Sequence, residues 1–162
     1  MHVLSFKETC WVSELMGTWF EATETVNTTL DGVEEKAKDL GHYFQSVVGF
    51  MPGISSAVLL EAEATGVKIQ TNEGIMIRSN ITQHKTPSEF TVDFDEAYQA
   101  GSLMMTQSRH TNIFSSTTNG VTHKLIISNV SANGILGWLY RTFGASNIGK
   151  AILAATKTHL ES

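Results

Sequence analysis

The sequence is short of several features that would define a function directly. It contains one cysteine, Cys10, among 162 residues, which excludes an intramolecular disulfide and a metal site built from several thiolates. A single cysteine is typical of a reducing compartment, so we expect a cytoplasmic protein. The first residues also lack the basic start and apolar run of a secretory signal, because Lys7 and Glu8 come early.

Positive charge is scarce as well. The chain has 11 Lys and Arg against 16 Asp and Glu, for a formal net charge of −5. Nucleic acids and anionic membrane surfaces bind basic faces, and the sequence has no Lys/Arg cluster to form one. No stretch approaches the about 20 apolar residues of a membrane-spanning helix. We therefore expect neither a nucleic-acid partner nor a membrane span.

Motifs that would identify a reaction are missing too. The sequence has no G-x-S-x-G nucleophile motif and no glycine-rich phosphate loop. Its six histidines are dispersed, and none pairs with another at the spacing that a metal site on one helix or strand needs. We expect no metal and no cofactor, and the sequence assigns no catalytic residue.

The remaining composition is that of a folded domain. Hydrophobic residues make up 41% and charged residues 17% of the chain, which argues against disorder. No linker or internal repeat divides the chain. We expect an N-terminal arm, residues 1–17, that packs on the domain or on a second subunit of a homodimer. One domain, residues 18–162, follows and is long enough to bury a substantial core.

The apolar pattern of this domain changes along the chain. Residues 19–27 alternate and are rich in aromatic and β-branched residues, as in a strand. Residues 28–48 have helical spacing, with Thr28 or Thr29 as the N-cap and Gly41 as a break between two short helices. The period then becomes two, and turn-like separators divide the chain into six predicted strands: residues 55–63, 67–71, 74–84, 89–95, 103–115 and 121–130.

The last stretch, residues 135–160, has helical spacing on two different faces. At a step of about 100° per residue the two faces do not line up. The sequence therefore predicts a short helical turn, a break at residues 144–147 with a restart near Ser146, and a main helix to about Leu160. The first face carries Ile135, Leu136, Leu139 and Phe143, and the second carries Ile148, Ala151, Ile152, Ala155 and His159.

Short connectors between consecutive strands predict antiparallel pairing, because a parallel crossover needs a dozen or more residues. A seven-stranded antiparallel sheet leaves one large face to be covered, and the C-terminal helix is the long helix that follows it. Strand twist would curl the sheet around that helix. The predicted fold is α+β: a curved seven-stranded antiparallel sheet wrapped around a long C-terminal helix, with two short helices after strand one.

Several stretches resemble one known superfamily. They are the strand-to-helix entry VNTTLDGVEE, the helix end FMPGISSAVLLE, the proline turn NITQHKTPSEF, the glycine-led strand NGVTHKLIIS and the closing ILGWLYRTFG…IGKAILAATKTHL. Over residues 19–160 the chain resembles the START-like superfamily, also called the Bet v 1-like or helix-grip fold. Within it, the chain is most similar to the polyketide cyclase/dehydrase-type SRPBCC proteins. That family often has a proline at the start of its first helix, where this chain has Thr28 and Thr29.

The resemblance implies an elongated apolar cavity between the sheet and the long helix. Family members bind lipids, sterols, polyketides or other hydrophobic molecules there, and some cyclise and dehydrate polyketides. The family has no shared catalytic residue set, so none is transferred to this chain. A filled core is the alternative to a cavity. The expected concave face draws on Ile75, Ile77, Phe90, Val92, Phe94, Met104, Phe114, Leu125 and Ile127.

Some polar residues fall in phase with these apolar ones. An inward polar group needs a partner or a ligand, since burying it unpaired costs about 1–3 kcal/mol. Arg78 is expected either to pair with Glu24 and orient a ligand carbonyl or carboxylate, or to be a solvated sheet-edge residue. His110 and His123 are either general acid/base groups or half-exposed sheet residues. The candidate ligand-binding residues are Glu24, Arg78, Phe94, Met104, His110, Asn112, His123, Ala151, Ile152 and Ala155, whereas Asp93, Asp95 and Glu96 are expected on an exposed strand face and turn.

Three functions remain open on this sequence. The first is binding of a hydrophobic small molecule such as a lipid or polyketide. The second is a polyketide cyclase/dehydrase-like enzyme in which Arg78 and His110 orient a carbonyl and shuttle a proton. The third is a protein-interaction module whose cavity has collapsed.

Overall fold

The computed structural model describes residues 17–102 and 104–162. The predicted N-terminal arm, with Cys10, therefore lies outside the described residues apart from Gly17. The described chain forms seven strands and four helices. The strands are β1 (Thr18–Val26), β2 (Ala57–Glu63), β3 (Gly66–Thr71), β4 (Gly74–Lys85), β5 (Glu89–Ala100), β6 (Met104–Thr117) and β7 (Gly120–Ala132). The helices are α1 (Leu30–Ala37), α2 (Leu40–Gly49), α3 (Gly134–Phe143) and α4 (Ala145–Glu161).

The strands form a single antiparallel sheet in the order β1-β7-β6-β5-β4-β3-β2. Each strand from β2 to β6 pairs with the strand that follows it, and β1 completes the sheet at its edge beside β7. Helices α1, α2 and α4 cover one face, and the buried apolar residues of the strands lie beneath them. The predicted α+β helix-grip fold with a seven-stranded sheet is confirmed.

The two short helices begin at side-chain caps. The Thr29 hydroxyl accepts a hydrogen bond from the Gly32 N–H at 3.0 Å, and the Asp39 carboxylate accepts one from the His42 N–H at 3.1 Å. The predicted break at Gly41 is wrong by two residues, because the Asp39 cap starts α2 before it. Gly41 instead lets β2 approach, since a Cβ there would lie 2.8 Å from Cδ2 of Leu59.

The C-terminal stretch is divided as predicted, with α3 ending at Phe143 and α4 starting at Ala145. The restart comes one residue before Ser146, and Gly144 occupies the N-cap position without a side-chain bond. Helix α4 packs closely on β1, because a Cβ on Gly149 would lie 2.3 Å from the Phe20 ring. A side chain at this position would push α4 away from the sheet.

The sequence left two phases open for β4, one with Ile75 and Ile77 inward and one with Arg78 inward, and the structure has the second. Met76 and Arg78 are buried beneath the helices, whereas Ile77 is 43% exposed. Three consecutive apolar residues carry no alternation that could reveal which of them faces inward. A bulge at Asn80, whose φ is 51°, then shifts the phase and brings Ile81 inward. The predicted concave residues Phe90, Val92, Phe94, Phe114, Leu125 and Ile127 are buried.

Helix α3 exposes the apolar face that its sequence pattern predicts. Ile135 is 80% and Phe143 69% exposed, while the opposite side packs on the sheet end at Gly137. The other large exposed residues of this face are Leu136, Trp138 and Leu139. No helix in the described part of the chain combines the length and hydropathy needed to cross a membrane.

Candidate functional site

A cavity of about 240 Å³ lies between the sheet and the helices, near the C-terminal end of α2. Strands β4, β5 and β6 form its floor, and α2, the following turn, α3 and the first half of α4 form its walls. Most of its lining is apolar, and the polar groups come mainly from β4, β5 and β6. The lining residues are Val47, Val48, Met51, Pro52, Ile54, Glu73, Met76, Arg78, Glu96, Tyr98, Ala100, Met104, Thr106, Tyr140, Ile148 and Ile152.

Arg78 occupies the inner end of this cavity. It is 5% exposed and also lines a second space of about 20 Å³. Its guanidinium carbon lies 4.6 Å from the ring centroids of both Phe44 and Phe94. The aromatic rings contact the guanidinium as cation–π partners. The expectation of a solvated sheet-edge arginine is therefore wrong.

The ion-pair partner of Arg78 is Glu96, and the predicted pair with Glu24 is wrong. Nε of Arg78 donates to Oε2 of Glu96 at 3.1 Å, and Nη2 lies 3.0 Å from the same oxygen. The two residues face each other directly in the β4–β5 register, so their side chains share one face of the sheet. Glu24 lies on β1 at the far edge, where its carboxylate is 3.4 Å from Nζ of Lys157.

His110 lies behind this ion pair and completes a polar cluster. Its Nε2 is 3.0 Å from Oγ of Ser108 and 3.9 Å from Oε1 of Glu96, and its ring stacks on Phe94 at 4.9 Å. Burial lowers the pKa of His110 to about 4, although the Glu96 charge opposes that shift. His110 is therefore neutral at pH 7, and the predicted half-exposed sheet histidine is a buried one.

Neighbouring charged groups favour the ionised form of Glu96. Burial alone would raise the pKa of Glu96, but His110 when protonated and Arg78 together hold it below its ordinary value. Tyr140 lines the same cavity, and burial together with the Glu96 charge raises the pKa of Tyr140 to about 12. At neutral pH the cluster therefore holds one guanidinium, one carboxylate and a neutral imidazole.

A second buried polar pair stands beside the small inner space. Nε2 of His123 lies 2.8 Å from Oδ1 of Asn112, whose amide nitrogen donates to the Val92 carbonyl at 3.4 Å. The His123 ring stacks on Phe114 at 4.4 Å, and burial lowers the pKa of His123 to about 3. Asn112 lines the small space, whereas His123 lines neither cavity.

The structure brings six of the ten candidate residues to these two spaces, which share part of their lining. Met104 lines the larger one, Phe94, His110 and Asn112 line the smaller one, and Arg78 and Ile152 line both. The other four lie elsewhere. Ala155 is buried in the core beneath α1 and α2, and Ala151 is half-buried outside the cavity lining. Glu24 and His123 have the positions described above.

Three residues that line these spaces were not among the candidates from the sequence: Glu96, Phe44 and Tyr140. Glu96 was expected on an exposed face, yet it continues the inward phase of Phe90, Val92 and Phe94 along β5. That continued alternation is the signal that could have found it. Phe44 lies in the predicted helical region, residues 28–48, but nothing in the sequence indicates its contact with Arg78. Tyr140 comes from α3, whose helical spacing does not show where the helix lies relative to the cavity.

No group of three or more His, Cys, Asp or Glu side chains in residues 17–102 and 104–162 is arranged to hold a metal ion. The chemistry available in the cavity is therefore that of a charge-compensated ion pair, hydroxyl groups and an apolar wall. Such a site can solvate one polar group of a molecule that is otherwise apolar.

Comparisons with known proteins agree with this architecture. No family model and no curated protein matches the sequence. A conserved protein from Geobacillus kaustophilus is similar in structure, with a TM-score of 0.60 at 12% identity over 86% of this chain and 93% of that one. A STAR-related lipid transfer protein from Xanthomonas axonopodis has a TM-score of 0.55 at 15% identity, over 88% of this chain and 85% of its own.

A START superfamily protein from Mycobacterium smegmatis has a TM-score of 0.56 at 10% identity, over 90% of this chain and 97% of its own. At identities this low, structural similarity establishes the fold and leaves the ligand open. The sheet order, the helix placement and these neighbours agree with the resemblance found in the sequence. The chain has the START-like, or helix-grip, fold.

Proposed function

We propose that this protein binds a small hydrophobic molecule in the cavity between β4–β6 and helices α2 and α4. The observation that carries the proposal is the cavity itself, an apolar space of about 240 Å³ with the buried Arg78–Glu96 pair at its inner end. Ligand sites typically combine apolar walls with a few convergent polar groups, in volumes of about 300–1,000 Å³. The cavity of about 240 Å³ lies just below that range and therefore suits a small ligand.

The shape of the lining supports binding over a filled core. Met51, Met76 and Met104 contribute flexible side chains to the wall, and methionine adapts to irregular ligands. Ala100 lies at the edge of the lining, where its small side chain leaves space open. An open cavity also favours a binding role over an interaction module with a collapsed core. The solved STAR-related lipid transfer protein of the same fold supports a lipid-like ligand.

The electrostatics favour a binding protein over an acid–base enzyme. A general acid or base works best when its pKa lies near the operating pH. Here burial lowers the pKa of His110 to about 4, and burial with the nearby Glu96 charge raises the pKa of Tyr140 to about 12. The pKa of Glu96 is also held below its ordinary value. Each shift moves a cavity group away from neutrality, as expected of groups that only bind.

Titration with the fluorescent dye Nile red tests the proposal. We expect the wild-type protein to bind one dye saturably, and Ala100→Trp to weaken binding by about tenfold or more because the indole fills the cavity. Ala97→Trp is the matched control, since Ala97 lies on the same strand but on the outer face of the sheet. Equal affinity in wild type and Ala100→Trp would contradict the proposal.

The exposed face of α3 is a second place where a hydrophobic dye can bind. Phe143→Ser removes a residue that is 69% exposed on that face and leaves the cavity lining unchanged. We expect this variant to retain the saturable site. Loss of the site in Phe143→Ser, with retention in Ala100→Trp, would assign dye binding to the surface and refute the cavity.

A further inference from the structure

The hydrogen-bonding of Arg78 leaves part of its guanidinium without a partner. An arginine side chain carries five N–H donors. Nε donates to a single oxygen, Oε2 of Glu96, and Nη2 lies 3.0 Å from that same oxygen. Within the described residues no acceptor reaches Nη1. Because Arg78 lines both spaces, the two N–H groups of Nη1 are left for an acceptor on a bound molecule.

The charge of Arg78 is already balanced. The Glu96 carboxylate is 13% exposed and lies 3.0 Å from Nη2, so the two opposite charges compensate each other inside the protein. A buried guanidinium that holds one carboxylate cannot fully compensate a second one, and two like charges at one site disfavour each other. A second carboxylate would therefore enter against the field of the first.

The other charged groups of the cavity add to this effect. Glu73 also lines the larger space, at its exposed side. The lining therefore carries one positive side chain, Arg78, and two negative ones, Glu73 and Glu96. His110 could contribute a positive charge only if protonated, and burial lowers its pKa to about 4. The charge of the lining at pH 7 is then negative.

On the basis of the proposed function, we infer that the polar group of the ligand is an uncharged hydrogen-bond acceptor and not a carboxylate. A ketone, aldehyde, ester or hydroxyl oxygen can accept from Nη1 of Arg78 without bringing a second negative charge to Glu96. The ligand class is thus a neutral hydrophobic molecule with one oxygen function, such as a long-chain alcohol, ketone or ester. Ionised fatty acids are excluded from the class.

Two ligands of equal chain length test this inference, decan-1-ol and decanoate, each used to displace Nile red at pH 7.5. The readout is the ratio of their dissociation constants within each variant, so the different hydrophobicity of the two compounds cancels when variants are compared. Glu96→Gln leaves Arg78 with an uncompensated charge. We expect this variant to shift the ratio towards decanoate by on the order of tenfold. Glu73→Gln, at the exposed side of the same cavity, should shift it much less.

A measurement on the wild-type protein covers the case in which Glu96→Gln fails to fold. If the site accepts only neutral groups, decanoic acid must bind in its protonated form and take up about one proton from the buffer. Calorimetry in two buffers of different ionisation enthalpy measures that uptake, and decan-1-ol, which does not ionise, serves as the control. Binding of decanoate without proton uptake and at least as tightly as decan-1-ol would overturn the inference.

The outcomes separate this inference from the proposed function. Tight decanoate binding in the cavity refutes the neutral-ligand inference and leaves hydrophobic binding intact. If neither compound displaces Nile red and the dye itself does not bind, the proposed function fails and the inference falls with it. Preferential decan-1-ol binding that Glu96→Gln reverses supports both.

Discussion

Removal of the Arg78 charge is the most informative perturbation of this protein. Arg78→Met keeps a long side chain between the two aromatic rings but deletes the guanidinium. It leaves Glu96 buried with no cation bonded to it, because the wild-type contact at 3.0 Å is lost. We expect a large loss of stability, since an uncompensated carboxylate remains in a site that excludes most water.

The expected magnitude follows from burial. The Arg78 and Glu96 side chains are 6% and 13% exposed, and breaking a buried ion pair by removing one partner costs about 3–5 kcal/mol. Arg109 and Asp95 form a comparable pair on the outer face, 38% and 43% exposed. Exposed pairs contribute about 0–1 kcal/mol, so Arg109→Met is the matched control. Replacing both buried partners, as Arg78→Met with Glu96→Leu, should recover most of the loss.

Urea denaturation at several pH values provides the assay. In the wild type the pKa of Glu96 is held below its ordinary value, so its stabilising contribution is present above that value and is lost as pH falls. In Arg78→Met the same carboxyl should have a raised pKa, because burial, the largest influence on it, is then opposed only by His110 when protonated. The deficit of the variant should therefore grow as pH rises from about 5 to 7.

Two results would contradict this description of the ion pair. If Arg78→Met costs no more free energy of unfolding than Arg109→Met, the pair is not buried as described. If the deficit does not change with pH, the carboxyl of Glu96 is not the group left uncompensated. Either result would also remove the electrostatic basis for the ligand class inferred above.

Further predictions concern the packing of α4 and the buried histidines. Gly149→Ala should lower the free energy of unfolding by about 1–3 kcal/mol in a thermal melt, since the added Cβ would overlap the Phe20 ring. Gly49→Ala is the control and should be close to neutral, because a Cβ at Gly49 meets nothing within 4 Å. Asn112→Leu should cost about 1–3 kcal/mol by leaving Nε2 of His123 unpaired, and a two-dimensional NMR spectrum should show a changed environment for that ring. The free energy of unfolding should fall as pH drops from about 6.5 towards 4, because histidines in the unfolded chain take up protons at a higher pH than the buried ones do. His110→Phe should make the free energy of unfolding depend less on pH in this range.

Much of the fold could be predicted because its local signals are strong. The change from helical spacing to alternation marks the start of the sheet, and short connectors allow only antiparallel neighbours. The offset of the two helical faces around Gly144 correctly predicted that the C-terminal stretch is two helices. The position of the first break was wrong because a glycine in a helical pattern is weaker evidence than the cap that Asp39 provides.

The site could be predicted only in part, because ion-pair partners depend on strand register. Alternation offered an inward position for Arg78 and His110, with a solvated or half-exposed position as the alternative, and both residues are buried. Glu96 was missed because the predicted strand ended at residue 95, whereas β5 continues to Ala100 and keeps the same phase. The pairing of Arg78 with Glu96 follows from the β4–β5 register. The sequence does not define this register, because β4 has apolar residues on both faces of the sheet.

A crystal structure of the protein soaked with decan-1-ol would test the central claim most directly. We predict that the alkyl chain lies between β5 and α4, in the cavity lined by Met76, Ala100 and Ile152. The hydroxyl oxygen should lie within hydrogen-bond distance of Nη1 of Arg78, with the Arg78–Glu96 pair intact. An empty cavity, with the alcohol bound instead on the exposed apolar face of α3, would contradict the account.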